Sequence, residues 1–319
     1  MSFDGIKGQD RAVSFLKGSI SGGRIAHAYI FYGARGVGKK LSALEFAKAV
    51  NCASPGERPC RLCPSCAKIG SSSHPDVSVI TPAAGSQSLG IDGIRSLISD
   101  ISLKPYEARK KIYIIDEADS LTEEASNALL KTLEEPPTDS VIILIAEKLQ
   151  HILPTIISRS QTVRFFALAA ETVERILVKD RGLEAGAAGV LSRLSSGSMA
   201  AALRYADGKF FEKRSVIIRS LRERSIFDID LDRAAKPDLK AYLDIMLAWY
   251  RDLLVAKASS GAVDAVNADM KGEISEESAR ISFGDLDRII KSIIMTGAFL
   301  DQNANPKLAM AALGVEISR

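Results

Sequence analysis

Nowhere in this sequence do eighteen uncharged apolar residues run together, and its N-terminal stretch MSFDGIKGQDRAVSFLKG has no apolar core. A helix needs about twenty such residues to cross a bilayer, so the first lack excludes a membrane-spanning helix. The second argues against a secretory signal, which is built around an apolar segment. The expectation is a cytoplasmic protein with no membrane partner. An excess of one charge is also missing: 42 Lys and Arg stand against 39 Asp and Glu, a net charge of +3. That balance is too even to predict nucleic-acid binding by itself, so any contact with DNA must be local. Internal repeats and low-complexity tracts are absent too, which leaves ordinary folded domains. At 319 residues there is room for two or three of them.

What is present has a clear rhythm. From Ala28 apolar runs alternate with helical patterns: AYIFY, then Lys39 to Val50, DVSVIT, KIYIID, a long helix, SVIILIA, and a last short strand TVRFF near Phe166. That alternation predicts a parallel sheet with crossover helices, an α/β fold. Strand signals then largely vanish. Thr172 to Lys179, Ala187 to Ser195 and Met199 to Tyr205 read as short helices divided by turns at Gly182, Gly186 and Gly197, a small helical lid. From about Lys209 longer helical patterns follow. One of them places Leu243, Met246, Leu247, Tyr250 and Leu254 at helical spacing, which predicts an all-α bundle with Trp249 in its core or interface.

Within this frame FYGARGVGKKLS follows the first apolar run. Gly33, Gly36 and Gly38 let a backbone curl around phosphates, and Lys39 supplies the ammonium that reaches the terminal ones. The helix that begins near Lys39 adds its positive end. The hydroxyl that normally follows the lysine and ligates magnesium is missing, because Lys40 stands there. Ser42 faces another side of the helix and is no substitute. Asp116 and Glu117 end the strand KIYII, where a phosphate-loop ATPase keeps its magnesium-binding acid and the group that polarises water. The same two carboxylates could instead be loop residues or a cap for the helix in SLTEEASNALL.

All four cysteines, Cys52, Cys60, Cys63 and Cys66, fall between these two elements with spacing C-x7-C-x2-C-x2-C. Thiols so close together in a cytosolic chain argue for zinc rather than disulfides. Four thiolates fill a tetrahedral ion completely, so the expected role is structural. His74 is an alternative ligand, and a redox pair in CRLC or CPSC an alternative use of the thiols.

The segments HAYIFYGARGVGKK, YIIDEAD, NALLKTLEEPP and LPTIISRSQTVRF, together with the four-cysteine insert, resemble the bacterial clamp-loader family of AAA+ proteins. The match is dense from Gly8 to Phe166. GSMAAAL and NANPKLAMAAL are similar, with weaker motifs, to the family's lid and collar. The resemblance implies a RecA-like AAA+ domain over residues 1–166 with a four-cysteine zinc module at about 51–70, a three-helix lid over 167–208, and a helical oligomerisation collar over 209–319. It also implies partners: gamma/tau motor subunits and a delta subunit in a hetero-pentamer, the sliding clamp, and primed DNA reached through the complex. The family's motors end the phosphate loop in Lys-Thr, carry a lid arginine where this chain has Ala200, and keep a polar sensor where this chain continues with Glu147 and Lys148. These departures imply a subunit that binds ATP or ADP weakly or not at all and hydrolyses little. SRS, residues 158–160, matches the family's Ser-Arg-Cys motif except at its last position. There the arginine, Arg159 here, acts in trans on the neighbouring motor's ATP. Two other readings stay open: an active AAA+ ATPase subunit that turns over despite Lys40, and a zinc-dependent nucleic-acid binder. The second is disfavoured because the cysteine insert lacks a basic, aromatic surrounding beyond Arg58, Arg61 and Lys68.

Overall fold

The computed structural model describes residues 3–83, 86, 88–206, 209–223, 236–259, 265–302 and 304–318. By its internal contacts the chain divides into two compact units, Met1–Thr172 with Ser198–Ala200, and Val173–Gly197 with Ala201–Arg319. The expected lid–collar boundary at 208, and Asn303 within NANPKLAMAAL, lie outside the described residues.

The first unit is built on five parallel strands: β1 (Ala28–Tyr32), β2 (Val77–Ile80), β3 (Lys111–Ile115), β4 (Ser140–Ala146) and β5 (Gln161–Arg164), in the order β2-β3-β4-β1-β5. Burial on both faces explains why the central strands read as unbroken apolar runs. Successive side chains alternate between faces: Tyr29, Phe31, Ile112, Ile114 and Ile143 join one core, and Ile30, Tyr113, Ile115, Ile142 and Leu144 the other. Helices α1 (Asp10–Ser21) and α2 (Lys39–Asn51) supply Leu16, Phe46 and Val50 to the first core. Helices α4 (Ile91–Ile101) and α5 (Glu123–Glu134) supply Ile94, Leu97 and Leu129 to the second, and the short α3 (Pro64–Gly70) carries the last cysteine. The final strand ends at Arg164, earlier than TVRFF suggests. Phe165 turns inward instead and packs on Phe31 with ring centroids 5.2 Å apart, and Phe166 is exposed. This topology sets the carboxyl ends of β1, β3 and β4 side by side, the edge at which open α/β sheets bind ligands.

Helix α8 (Ala185–Leu194), in the second unit, and α7 (Ala170–Arg181) and α9 (Met199–Ala206), each mostly in it, run longer than their sequence patterns. Glu184 explains one extension, since its carboxylate accepts hydrogen bonds from Gly186 N and Ala187 N and so caps α8 early. Helices α10 (Phe210–Arg222), α11 (Lys236–Ser259), α12 (Lys271–Arg280), α13 (Phe283–Asp301) and α14 (Pro306–Ser318) follow. Packed against α10, α12 and α13, α11 buries Ile245, Trp249 and Leu253 besides Leu243, Met246 and Tyr250. Leu247 and Leu254 of the expected stripe are only half-buried. Among the described residues no helix is long and apolar enough to cross a membrane.

Candidate nucleotide and metal sites

The glycine loop leaves β1 at Tyr32 and enters α2 at Lys39, as the sequence requires. Gly33 and Gly36 have φ of 144° and 75°, the region that favours glycine. Crowding also holds both positions: a Cβ on Gly33 would lie 2.1 Å from Phe165 O, and one on Gly36 would lie 2.7 Å from Ala200 Cβ. Ala200, grouped with the first unit, donates its N–H to Gly36 O at 3.4 Å and brings no charge to the loop. Gly38, also left-handed, precedes the helix.

Lys39 is buried, and its ammonium donates to Gly33 O at 2.5 Å and Ala34 O at 2.7 Å. Burial lowers its pKa, against the opposing pull of Glu147, Asp119 and Asp116. Lys40 does more than omit a magnesium ligand. Its Nζ lies 3.1 Å from Asp116 Oδ2 and neutralises the carboxylate that the chemistry would assign to the metal. Ser42 is fully buried and donates back to Gly38 O at 2.9 Å, so it does not replace the missing hydroxyl. Glu117 takes a left-handed backbone at φ 54° and pairs with Arg35 at 3.4 Å. Arg35 also pairs with Glu147, whose backbone N–H donates to Asp119 at 3.1 Å. The cap of α5 is Thr122, which accepts from Ala125 N at 3.2 Å, so neither Asp116 nor Glu117 caps that helix. Arg35 and Asp119 escaped the sequence reading. Nothing local marks Asp119, whereas Arg35 sits inside the loop itself and was open to notice.

Arg159 follows α6 (Pro154–Ile157). Its guanidinium donates to Thr155 O at 3.0 Å and Ser158 Oγ at 3.2 Å, and pairs with Glu134 on α5 at 2.9 Å. With about a third of its side chain exposed (36%), it is held at one edge yet open to solvent. Its partners among the described residues are all on or beside α5 and α6, none on the glycine loop. Ser160 Oγ beside it is buried with no hydrogen-bond partner among the described residues. A buried unsatisfied hydroxyl costs about 1–3 kcal/mol, and a thiol behaves as a small hydrophobe. Ser160→Cys is therefore expected to raise stability by roughly 1 kcal/mol, read from the midpoint of denaturant unfolding. A lower midpoint would mean the hydroxyl has a partner.

The four cysteine sulfurs lie within 4.8 Å of one another. Zinc–sulfur bonds of about 2.3 Å place tetrahedral ligands about 3.8 Å apart, so the cluster fits such an ion. Cys52 closes α2, and Cys63 and Cys66 begin α3. Backbone N–H groups face the sulfurs: Cys63 N donates to Cys60 Sγ at 3.3 Å and Cys60 N to Cys52 Sγ at 3.4 Å. Without a cation the thiols are unequal. The N–H groups of Cys63 and Leu62 lower Cys60 to about 6, whereas burial pushes Cys66 up to about 12. A cation held by the four sulfurs would supply the charge that favours the Cys66 thiolate. His74 is buried outside the cluster, with Nε2 3.3 Å from Ser65 Oγ and Nδ1 accepting from Asp76 N at 3.1 Å. Burial lowers its pKa, and it is not a fifth candidate ligand.

Residues 8–169 match the sequence profile of the family described as DNA polymerase III, delta subunit. A curated relative, DNA polymerase III subunit delta' of Bacillus subtilis, is 34% identical over 256 residues, covering 77% of each chain. DNA polymerase III subunit tau of the same organism is 30% identical over 295 residues, which span 81% of this chain and 51% of that one. Among solved structures, a DNA polymerase III gamma subunit-related protein from Thermotoga maritima aligns with a TM-score of 0.48 at 20% identity, covering 98% of this chain and 100% of that one.

Proposed function

Because this chain belongs to the delta prime family of DNA polymerase III, the clamp-loader subunits of bacterial DNA replication, we propose that it works in trans: it donates Arg159 to a neighbouring motor's ATP and hydrolyses little or none itself. Its partners on this reading are gamma/tau motors and a delta subunit in a hetero-pentamer that places the sliding clamp on primed DNA. Residues 1–166 form the AAA+ domain, 167–208 the lid and 209–319 the collar that joins the ring, and DNA is met through the complex.

The observation that carries the reading is the Lys40–Asp116 ion pair at 3.1 Å. A catalytic magnesium needs that carboxylate free and a hydroxyl beside Lys39, and here a cation occupies the first and replaces the second. Gly33, Gly36, Gly38 and Lys39 still supply amides and an ammonium, and Glu117 still ends β3, so weak nucleotide binding is compatible with no turnover. Arg159 is placed differently from the loop residues, since its anchors lie on and beside α5 and α6 and about a third of its side chain is open to solvent. The fit of the four cysteines to a tetrahedral ion supports a structural zinc, because a closed thiolate set leaves no position for water.

The isolated chain is expected to show no turnover with magnesium and ATP. Lys40→Thr alone should not start it, because Arg35 still ties Glu117 and Glu147 together and Ala200 still brings no charge. The check is phosphate release from both proteins. Turnover on the order of one per second or faster by the unaltered chain would instead establish an active ATPase subunit.

A further inference from the structure

Glu45 lies in α2 among Ala43, Phe46, Ala47, Ala49 and Val50, and only 4% of it is exposed. A carboxylate so placed must be paired to stay charged, and nothing in the nucleotide chemistry uses it. Two cations meet it. Lys48 Nζ at 2.8 Å is its neighbour one turn along the helix, whereas Arg61 Nη2 at 3.3 Å reaches in from the cysteine segment. Arg61 stands between Cys60 and Cys63 with φ 61°, a left-handed conformation that a long side chain rarely takes without outside support. The same turn carries the backbone N–H of Cys63, which donates to Cys60 Sγ at 3.3 Å.

We propose that Glu45 positions the metal-binding cysteines: by holding the Arg61 guanidinium it keeps the Cys60–Cys63 turn in the left-handed form that aims the Cys63 N–H at the Cys60 sulfur. This rests on the reading that the four thiolates hold zinc. Groups that orient metal ligands change affinity by about 10–100-fold when removed. The role assigned to Glu45 is one of positioning, since it does not touch the ion. It also explains why the turn adopts a left-handed residue without using glycine there.

The test uses the whole chain, with zinc content from elemental analysis and zinc transfer to a chromophoric chelator. Wild type should carry one zinc. Glu45→Gln and Arg61→Met should each give up zinc at roughly tenfold lower chelator concentration, or lower still. Glu45→Gln combined with Arg61→Gly should hold zinc better than Glu45→Gln alone, because glycine takes the left-handed backbone without a clasp. A role in general stability predicts no such rescue. If Glu45→Gln does not fold, Arg61→Met, altered on the half-exposed side of the pair, still decides the matter. Zinc retention within twofold of wild type in the single variants, or no rescue by glycine, overturns the clasp alone. Absence of zinc from reduced wild type overturns the zinc reading and the clasp with it.

Discussion

Replacing Arg159 by alanine is expected to slow ATP hydrolysis at the neighbouring motor site by about three to five decades while the complex still assembles. An arginine supplied across an interface stabilises charge developing on the transferred phosphoryl group. At about 1.36 kcal/mol per decade the effect is roughly 4–7 kcal/mol, far above the 0–1 kcal/mol of an exposed ion pair. The size therefore separates a role in trans from a surface arginine that merely pairs with Glu134. That pair at 2.9 Å is itself exposed on both sides, so it restrains the guanidinium weakly and a stronger anion can draw it away. Lysine should rescue poorly, because a point charge does not reproduce the planar fork. Clamp loading should slow with the mutant, and a ring with several motor sites will show the loss most clearly in a single-turnover experiment.

Cys63→Ser is expected to abolish stoichiometric zinc binding and unfold the segment between α2 and β2. Structural zinc contributes about 10–16 kcal/mol to the folding of small metal modules, which is as large as the net stability of an ordinary domain, about 5–15 kcal/mol. The damage should stay local, because Phe46, Ala47, Ala49 and Val50 anchor α2 in the sheet's core independently of the cysteines. The second unit should keep its own unfolding transition, since it holds none of the ligands. Hydrogen exchange on the zinc-loaded and serine proteins checks this. Equal zinc content in the two, or loss of protection throughout α10 to α14, would contradict it.

Much of this architecture was legible because burial writes itself into sequence. Strands covered on both faces, such as KIYII and SVIILIA, leave unbroken apolar runs, and four close cysteines leave a spacing. Edges were less legible. Phe165 extends the apolar signal of β5 one residue past the strand's end at Arg164, where a last N–H bond to Tyr32 O closes the pairing, and α11 buries more of its circumference than one stripe suggests. The candidate nucleotide site divides in the same way. Lys40 was visible as a missing hydroxyl, because that depends on one position in a local motif. Its pairing with Asp116 was not, because it depends on the register that sets β1 and β3 on either side of β4. Glu45 reads in sequence as an ordinary helical charge, and its burial emerges only once the cysteine segment folds back over α2.

The central claim is that this chain acts on a neighbour's nucleotide and not on its own. The measurement that tests it most directly is single-turnover ATP hydrolysis by the reconstituted clamp loader with this chain as the only variable, comparing Lys39→Ala with Arg159→Ala. The account predicts that Lys39→Ala hydrolyses at the wild-type rate at every site, while Arg159→Ala loses about three to five decades at one site. Loss of hydrolysis on Lys39→Ala, with Arg159→Ala unaffected, would contradict it.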